Sequence, residues 1–380
     1  MRLLVTCTAL LAAVAAAGAE RHKPAEINAG TPEGKLLEQI GGESDEAKKA
    51  ALLEDFAAKY PKHEGAAWVY EQMVTGYSKA GQYDKALDAG DKLLAADPAD
   101  VEGAYACLQA AEAKKDAGLI VKWSAITSGA ARKMAGTPKP DGEREAEEWA
   151  RRIDYAKQVD IRSEYSLYAA MLQTSDPKQK IQLGEALEQR NPQSQYLPQM
   201  TEQRFQACVQ TGDNAKAAAL AEKSVESGQA SPEMLLVLAN KAMGAKQPDK
   251  AIAYARKAIE AAEAKPKPDG VSDADWQSWK TQVTTRGHWM AGMTHAGENK
   301  WAQADQELRV ALPGLKDNRA MLAEALFYAG LANYKLAEAG DTKRARDALR
   351  FNEQCAAIAG PLQARASTNV KAIRSRYHIR

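Results

Sequence analysis

The side chains that most often bind metals or transfer protons are few in this chain of 380 residues. The five histidines are His22, His63, His288, His295 and His378. His288 and His295 fall in one predicted helix, but they are two turns apart and no carboxylate motif accompanies them. Imidazoles at that separation are too far apart to ligate one ion without further residues. We therefore predict no metal site.

Motifs for nucleotide binding, nucleophilic catalysis and haem attachment are absent from the sequence. There is no Gly-rich phosphate loop and no nucleophile elbow. Adjacent carboxylates such as Glu147 and Glu148 fall on predicted solvated helix faces, where acidic pairs are ordinary surface residues. The sequence predicts a protein that is not an enzyme and needs no cofactor. An enzyme with a site in the irregular long-helix regions is the alternative that remains open.

The first nineteen residues have the pattern of a cleaved secretory signal. Arg2 precedes the largely apolar run from Leu3 to Ala16, and Ala17-Gly18-Ala19 forms a small-residue cleavage site. The alternative is a lipoprotein modified at Cys7, but that cysteine has almost no apolar segment before it. No later stretch is long and apolar enough to predict a membrane span. We expect a mature protein in the periplasm or outside the cell.

Three cysteines remain after that cleavage, at Cys107, Cys208 and Cys355. They lie about one hundred residues or more apart, which is not the spacing of a disulfide framework. Each falls in a helical pattern, so we predict small buried apolar side chains. A bridge between two of them in an oxidising compartment is the alternative.

The charges of the chain are balanced. Lys and Arg number 51 and Asp and Glu number 50, and removal of Arg2 with the signal leaves 50 of each. A neutral chain has no overall field to attract nucleic acid or anionic membranes, so neither is a predicted partner. A basic carboxyl-terminal segment carries Lys371, Arg374, Arg376 and Arg380. We interpret it as the solvated face of a terminal helix.

Helices must position any functional side chains, because the chain has 76 Ala residues, only 4 Phe residues and no sustained alternation of apolar and polar residues. Residues 67–98 scan as two amphipathic helices with a turn at Gly81. The periodic positions of this hairpin are occupied by Tyr70, Met73, Tyr77, Ala86 and Pro98.

At these positions the hairpin resembles the tetratricopeptide repeat (TPR) family, and about 330 residues share the pattern in weaker form. Gly90 stands where that family has an aromatic residue, and Val74 where it has glycine. The resemblance implies an all-α fold, an α-α superhelix of about seven to eight helical hairpins. It also implies a concave groove that binds a partner protein or peptide.

The hairpins predict five divisions of the chain. A signal peptide (1–19) and a disordered leader (20–30) precede the repeats. Amino-terminal repeats then occupy 31–135, central repeats with a long helix 136–263, and carboxyl-terminal repeats with a capping helix 264–376. The PKPDG sequence occurs at 138–142 and again at 266–270. We interpret the recurrence as an ancient doubling, and chance similarity of two loops is the alternative.

Six side chains on the first helices of hairpins are the candidates for the implied groove. They are Trp68, Tyr105, Tyr165, Trp289, Met293 and Tyr334. Large rigid side chains suit a binding surface, although aromatic residues at helical spacing also pack between repeats. Trp68 lies about 200° around the helix from the inward-facing Tyr70, at ~100° per residue, so we expect Trp68 to face either the groove or the adjoining repeat.

The sequence therefore predicts an exported, non-enzymatic scaffold or adaptor that binds a partner protein or peptide. The alternative is a binding module for a non-protein ligand, such as an oligosaccharide or cell-wall fragment held by the groove aromatics. A stable protein partner in the exported fraction favours the first function. Changes in Trp fluorescence with glycans favour the second.

The export hypothesis predicts the amino terminus of the mature protein. Sequencing of the exported protein is expected to begin at Glu20, because the small residues Ala17 and Ala19 suit signal peptidase. An intact Met1, or a diacylglyceride on Cys7, would contradict the assignment.

Overall fold

A computed structural model describes residues 21–379 of the chain. The predicted signal peptide and the alternative lipid site at Cys7 lie outside the described residues. Within the described range the protein forms seventeen α-helices and one short 3-10 helix, with no β-strand. The helices follow one another as hairpins, which confirms the predicted all-α, TPR-like architecture.

The first compact unit extends to Ala207, and its described part begins at residue 21. Each of its helices packs against the next, and the first helices of successive hairpins also meet. Its complete helices are α1 (Pro32–Gly42), α2 (Glu46–Lys59), α3 (Ala66–Lys79), α4 (Tyr83–Ala96), α5 (Val101–Lys114), α6 (Ala117–Ala135), α7 (Glu143–Gln173) and α8 (Pro177–Arg190). The boundary between the units lies within α9 (Leu197–Thr211).

The second compact unit begins at Cys208 and is built in the same way. A 3-10 helix, Leu312–Leu315, follows its fifth complete helix. The complete helices are α10 (Asn214–Glu226), α11 (Pro232–Gly244), α12 (Pro248–Ala264), α13 (Asp273–Gly297), α14 (Trp301–Ala311), α15 (Arg319–Glu338), α16 (Arg344–Ala356) and α17 (Gln363–Tyr377). The predicted divisions at 135 and 263 remain predictions.

Most predicted helix starts carry the expected caps. The Thr31 hydroxyl accepts from the Gly34 amide at 3.1 Å. The Ser272 hydroxyl accepts from the Asp275 amide at 3.1 Å and donates to the Asp275 carboxylate at 2.7 Å. Ser44 is a residue type that often caps helices, but it does not cap α2. Asp45 begins α2 instead, because its carboxylate accepts from the Lys48 amide at 2.9 Å. The Asp45 carboxylate, one residue after Ser44, thus caps the free backbone amides in the first turn of α2.

The hairpin predicted at residues 67–98 is formed by α3 and α4. Tyr77 is buried there, and its hydroxyl donates to Glu54 Oε1 on α2 at 2.5 Å. The Lys85 ammonium of α4 lies 5.2 Å from the centre of the Tyr77 ring. Tyr77 thus contacts its own hairpin and the preceding one. Burial and the nearby Glu54 carboxylate raise the pKa of the Tyr77 hydroxyl.

Gly90 on α4 marks the closest approach between this hairpin and the next. A Cβ atom at Gly90 would overlap Cys107 Sγ on α5 and lie 3.1 Å from the Trp123 ring on α6. Trp123 is fully buried. The aromatic volume missing at Gly90 is therefore supplied by the following hairpin.

Glycines make comparable close approaches in the second unit. A Cβ atom at Gly292 would lie 2.7 Å from Leu308 Cγ on α14, and one at Gly330 would overlap Asn352 on α16. Gly292 and Gly330 thus lie where the helices of their hairpins approach most closely. In these two hairpins a glycine on the first helix thus lets the second helix pack tightly.

A long helix follows each PKPDG loop. The loop at 138–142 precedes α7, of 31 residues, and the loop at 266–270 precedes α13, of 25 residues. Trp149 on α7 donates its indole N–H to the Thr137 carbonyl at 3.1 Å, which ties the helix to the preceding loop. Among residues 21–379, no helix has the length and apolar character needed to cross a membrane.

All three cysteines of the described range are buried, as the sequence predicted. Cys107 and Cys355 carry free thiols. Burial raises the pKa of both, so neither is a ready thiolate.

The close approach at Gly90 predicts opposite effects of alanine at two helical glycines. Gly129→Ala on α6 faces open space and should stabilise the protein by about 0.5–1 kcal/mol, as alanine does within helices. Gly90→Ala should instead cost about 1–3 kcal/mol, because its methyl group overlaps Cys107. Urea unfolding measures both changes.

The double variant Gly90→Ala/Cys107→Gly is the matched control for that steric explanation. Removal of the cysteine side chain opens space for the new methyl group, so the two substitutions should cost less together than the sum of their separate effects. Equal stabilisation by Gly90→Ala and Gly129→Ala would contradict the packing described here.

Candidate functional site

Three first helices of hairpins lie side by side in the first unit. Helix α3 contacts α5, and α5 contacts α7. One face of α5 carries Glu102, Tyr105, Gln109 and Glu112, at spacings of three, four and three residues, so the four side chains share that face. We call the surface formed with the adjoining residues of α3 and α7 the α3–α5–α7 face.

Three carboxylates form an acidic cluster at one end of this face. Glu71 lies on α3, Asp100 is the amino-terminal cap of α5, and Glu102 lies in the first turn of α5. Asp100 is fully buried and accepts from the Gly103 amide at 2.7 Å. Glu71 is 6% exposed. Buried carboxylates are costly unless they are paired, so the cluster requires cations.

The cations come from the beginning of the described chain. The Arg21 guanidinium donates to Asp100 and Glu102, and its Nη2 lies 3.9 Å from Glu71 Oε1. His22 Nε2 lies 3.2 Å from Asp100 Oδ2. Arg21 and His22 thus have carboxylate partners on α3 and α5, and the predicted disordered leader over residues 20–30 stays a prediction.

Compensation of the acidic cluster is uneven. Burial raises the pKa of Glu71 to about 7, although Arg21 and His22 oppose the shift. Burial also favours protonated Asp100, but hydrogen bonds and charges from His22 and Arg21 outweigh it and lower the pKa of Asp100. The hydrogen bond to Asp100 raises the pKa of His22. Glu71 Oε2 has no hydrogen-bond partner among the described residues, so Glu71 is the least compensated acid.

Two tyrosines, Tyr105 on α5 and Tyr155 on α7, lie beside the acidic cluster. Tyr155 is close enough to Tyr105, Glu102 and Arg21 to interact with them electrostatically. Burial raises the pKa of both tyrosine hydroxyls. They provide a largely apolar border to a charged site, an arrangement common in binding surfaces.

The other end of the face is a cluster of rings and charges. Arg162 on α7 pairs with Glu112 Oε1 at 3.0 Å, and its guanidinium carbon lies 5.1 Å from the centre of the Tyr165 ring. Tyr165 makes edge contacts with Tyr168 and Tyr196, at centroid distances of 6.1 and 5.8 Å. All three tyrosines are half-buried, so part of each ring remains accessible.

The predicted groove residues of the first unit have different environments. Trp68 is only 3% exposed to solvent, so of its two expected environments the structure shows the adjoining repeat rather than an open groove. Its ring packs over Gly41 of α1, where an added Cβ would contact it at 4.0 Å. The first hairpin therefore covers the side of α3 that faces away from its partner helix α4. Tyr105 is also buried, and Tyr165 is half-buried.

The second unit does not gather its three candidates at one point. Trp289 and Met293 on α13 are half-buried and pack beside the core that includes Leu308. Tyr334 on α15 instead accepts a hydrogen bond from Arg376 of α17 at 3.1 Å. Two candidates therefore border the core, and the third contacts the terminal helix.

The histidines of α13 meet a carboxylate that the sequence did not indicate. His288 Nδ1 lies 2.6 Å from Glu307 Oε2 on α14, and Arg256 lies 3.9 Å from the same carboxylate. His295 is 5% exposed, and burial lowers its pKa. No group of three His, Cys, Asp or Glu residues in the described range could hold a metal ion. The contact between His288 and Glu307 is an ion pair or hydrogen bond between helices.

Sequence reasoning missed the acidic cluster, although a signal for it existed. Glu71 is three residues after Trp68, and Glu102 is three residues before Tyr105. Each therefore shares a helical face with a candidate aromatic residue. Acidic residues on helix faces are usually solvated, so the aromatic residues are the stronger signal on these faces.

The pKa shift of Glu71 predicts a pH-dependent stability difference. Glu71 ionises near pH 4.5 in the unfolded chain but near 7 in the folded protein, so wild-type stability falls as pH rises between these values. Glu71→Gln should therefore gain stability relative to wild type between pH 5 and pH 8, on the order of 2–3 kcal/mol. Urea unfolding at both pH values measures the gain.

Glu148→Gln, at an exposed position on α7, controls for the general effect of replacing an acid. Its stability relative to wild type should change far less between the two pH values. A Glu71→Gln difference that is the same at pH 5 and pH 8 would show that Glu71 ionises normally.

No family model matches the chain, and no curated protein sequence matches it. Among solved structures, the chain is similar to the P58(IPK) TPR domain, with 11% identity, a TM-score of 0.32 and coverage of 92% of this chain and 98% of that one. It is also similar to yeast Tom70, with 14% identity, a TM-score of 0.33 and coverage of 99% and 73%. The architecture assigned to this protein rests on its own helical hairpins.

Proposed function

We propose that this protein is an exported, non-enzymatic scaffold that binds a peptide segment of a partner protein on the α3–α5–α7 face. The observation that carries the proposal is the position of Arg21 and His22. A non-helical segment of the chain already occupies this face through side chains that a partner could equally present. The face is therefore suited to hold peptide.

The composition of the face supports binding of a peptide. Tyr155, Arg162 and Tyr165 are seven and three residues apart on α7, so they project from one side of the helix. Tyrosine and arginine are enriched where proteins bind one another, because they offer large contact area together with polar groups. The acidic cluster adds charge selectivity at one end.

A binding role also fits the chemistry of the most reactive groups. The Cys107 thiol is buried with a raised pKa, so it is a poor nucleophile. Asp100 Oδ1 accepts from the Gly103 amide and from Arg21, and Oδ2 contacts His22, so both oxygens are already engaged. These groups stabilise the structure rather than act on a substrate.

Export is part of the proposal because of the amino-terminal sequence pattern. Cleavage after Ala19 would leave Arg21 and His22 in the mature chain, directly behind a new terminus at Glu20. The segment that occupies the face is thus retained after processing.

The proposal is tested with an array of synthetic twelve-residue peptides that samples acidic, basic, polar and aromatic compositions. Bound peptides are then titrated in solution by fluorescence anisotropy. Tyr165→Ala should weaken binding by about 1–3 kcal/mol, because Tyr165 is a half-buried aromatic residue on the face. Its melting temperature should stay close to that of wild type.

Asp88→Ala is the matched control, because Asp88 is exposed on α4, the second helix of its hairpin. Its peptide affinities should equal those of wild type. An array without a peptide of Kd below about 1 mM, or equal affinities in Tyr165→Ala and wild type, would refute binding on this face. Binding of cell-wall oligosaccharides instead of peptides would favour the alternative function.

A further inference from the structure

We propose that the acidic cluster is a receptor for an arginine side chain of the partner peptide, and that Arg21 occupies this receptor in the free protein. The inference rests on the proposed function and specifies the partner as a basic, arginine-bearing peptide. It also gives the leader a role, as an internal competitor for the site.

The geometry around Arg21 is specific for a guanidinium group. One terminal nitrogen donates to Glu102, the other donates to Asp100, and Glu71 lies 3.9 Å from the second nitrogen. A planar guanidinium has donors pointing in several fixed directions, so it can engage separate carboxylates at once. A lysine ammonium is a compact charge without this planar fork of N–H donors, so it would engage the separate carboxylates less well.

The leader does not satisfy every oxygen of the acidic cluster. Three carboxylates face one arginine and one histidine. Only 6% of the Glu71 surface is exposed, and the Oε2 atom has no hydrogen-bond partner among the described residues. A buried acceptor without a donor costs free energy, and a ligand with further N–H groups would recover it. The leader is therefore an incomplete ligand for the site.

The leader is also held by few buried contacts. Six of the eight residues from 23 to 30 are exposed, and Ile27 is half-buried against the core. The segment becomes fixed at Thr31, which caps α1. Release of Arg21 and His22 would leave the helices that form the face intact. Segments with few buried apolar contacts open most easily in folded proteins.

An internal competitor weakens binding of the partner, because the apparent Kd equals the intrinsic Kd divided by the fraction of molecules in which the site is empty. A tethered segment acts at an effective concentration in the millimolar range. Weakly basic peptides would be excluded under these conditions. Only a peptide that also satisfies Glu71 or contacts the neighbouring tyrosines would displace the leader.

The test empties the site in the full mature chain with Arg21→Ala/His22→Ala. The probe is a fluorescein-labelled, amidated peptide with the leader sequence of residues 21–27, and anisotropy measures its binding. The double variant should bind this probe at least tenfold more tightly than wild type, because the internal competitor is gone. Arg21→Lys should give an intermediate affinity, because lysine retains the charge without the fork.

A matched probe with citrulline in place of arginine keeps the shape of the side chain and removes its charge. It should bind the double variant at least tenfold more weakly than the arginine probe. Glu102→Gln in that background should weaken the arginine probe at least fivefold, whereas Asp88→Asn should have no effect. Melting temperatures identify variants that fail to fold. If the double variant fails to fold, the probe affinity of Arg21→Lys is compared with that of wild type instead.

Equal binding of the arginine and citrulline probes, or no gain from emptying the site, would overturn the inference. If peptides from the array still bind through Tyr165 in that case, only the arginine receptor fails and the proposed function stands. If no array peptide binds either, the proposed function fails as well.

Discussion

Close approach of helices at small residues is the constraint on which the rest of the structure depends. Gly90, Gly292 and Gly330 each face a side chain of a neighbouring helix at a distance that a Cβ atom would not allow. Alanine fills much of the remaining interface, so neighbouring helices can approach closely around the larger core residues. This tight stacking brings α3, α5 and α7 into one face, and the acidic cluster exists only because α3 and α5 lie so close.

Much of the fold could be predicted because its signals are local. The hairpins, the turns and caps such as Thr31 and Ser272 each depend on a few neighbouring residues. Exposure depends on which element lies opposite, and it was harder to predict. Trp68 is buried because α1 covers it, and the spacing of residues within α3 carries no information about α1.

The candidate site was predicted only in part, for the same physical reason. Tyr165 could be identified because its helix and spacing are visible in the sequence. The ion pair of Arg21 with Asp100 joins residues 79 positions apart, and no local pattern indicates such a pair. Buried Glu71 resembled a solvated residue, because burial of a charge is a property of the assembled helices.

The packing at Gly90 has a consequence for how such a protein can gain or lose repeats. The hairpin of α3 and α4 is completed by Cys107 and Trp123 of the following hairpin, so neither hairpin is a self-sufficient module. Deletion of α5 and α6 would leave a void beside Gly90, and an inserted hairpin with different side chains there would collide or leave a gap. The smallest segment that evolution could copy cleanly is therefore longer than one hairpin and includes the interface between two.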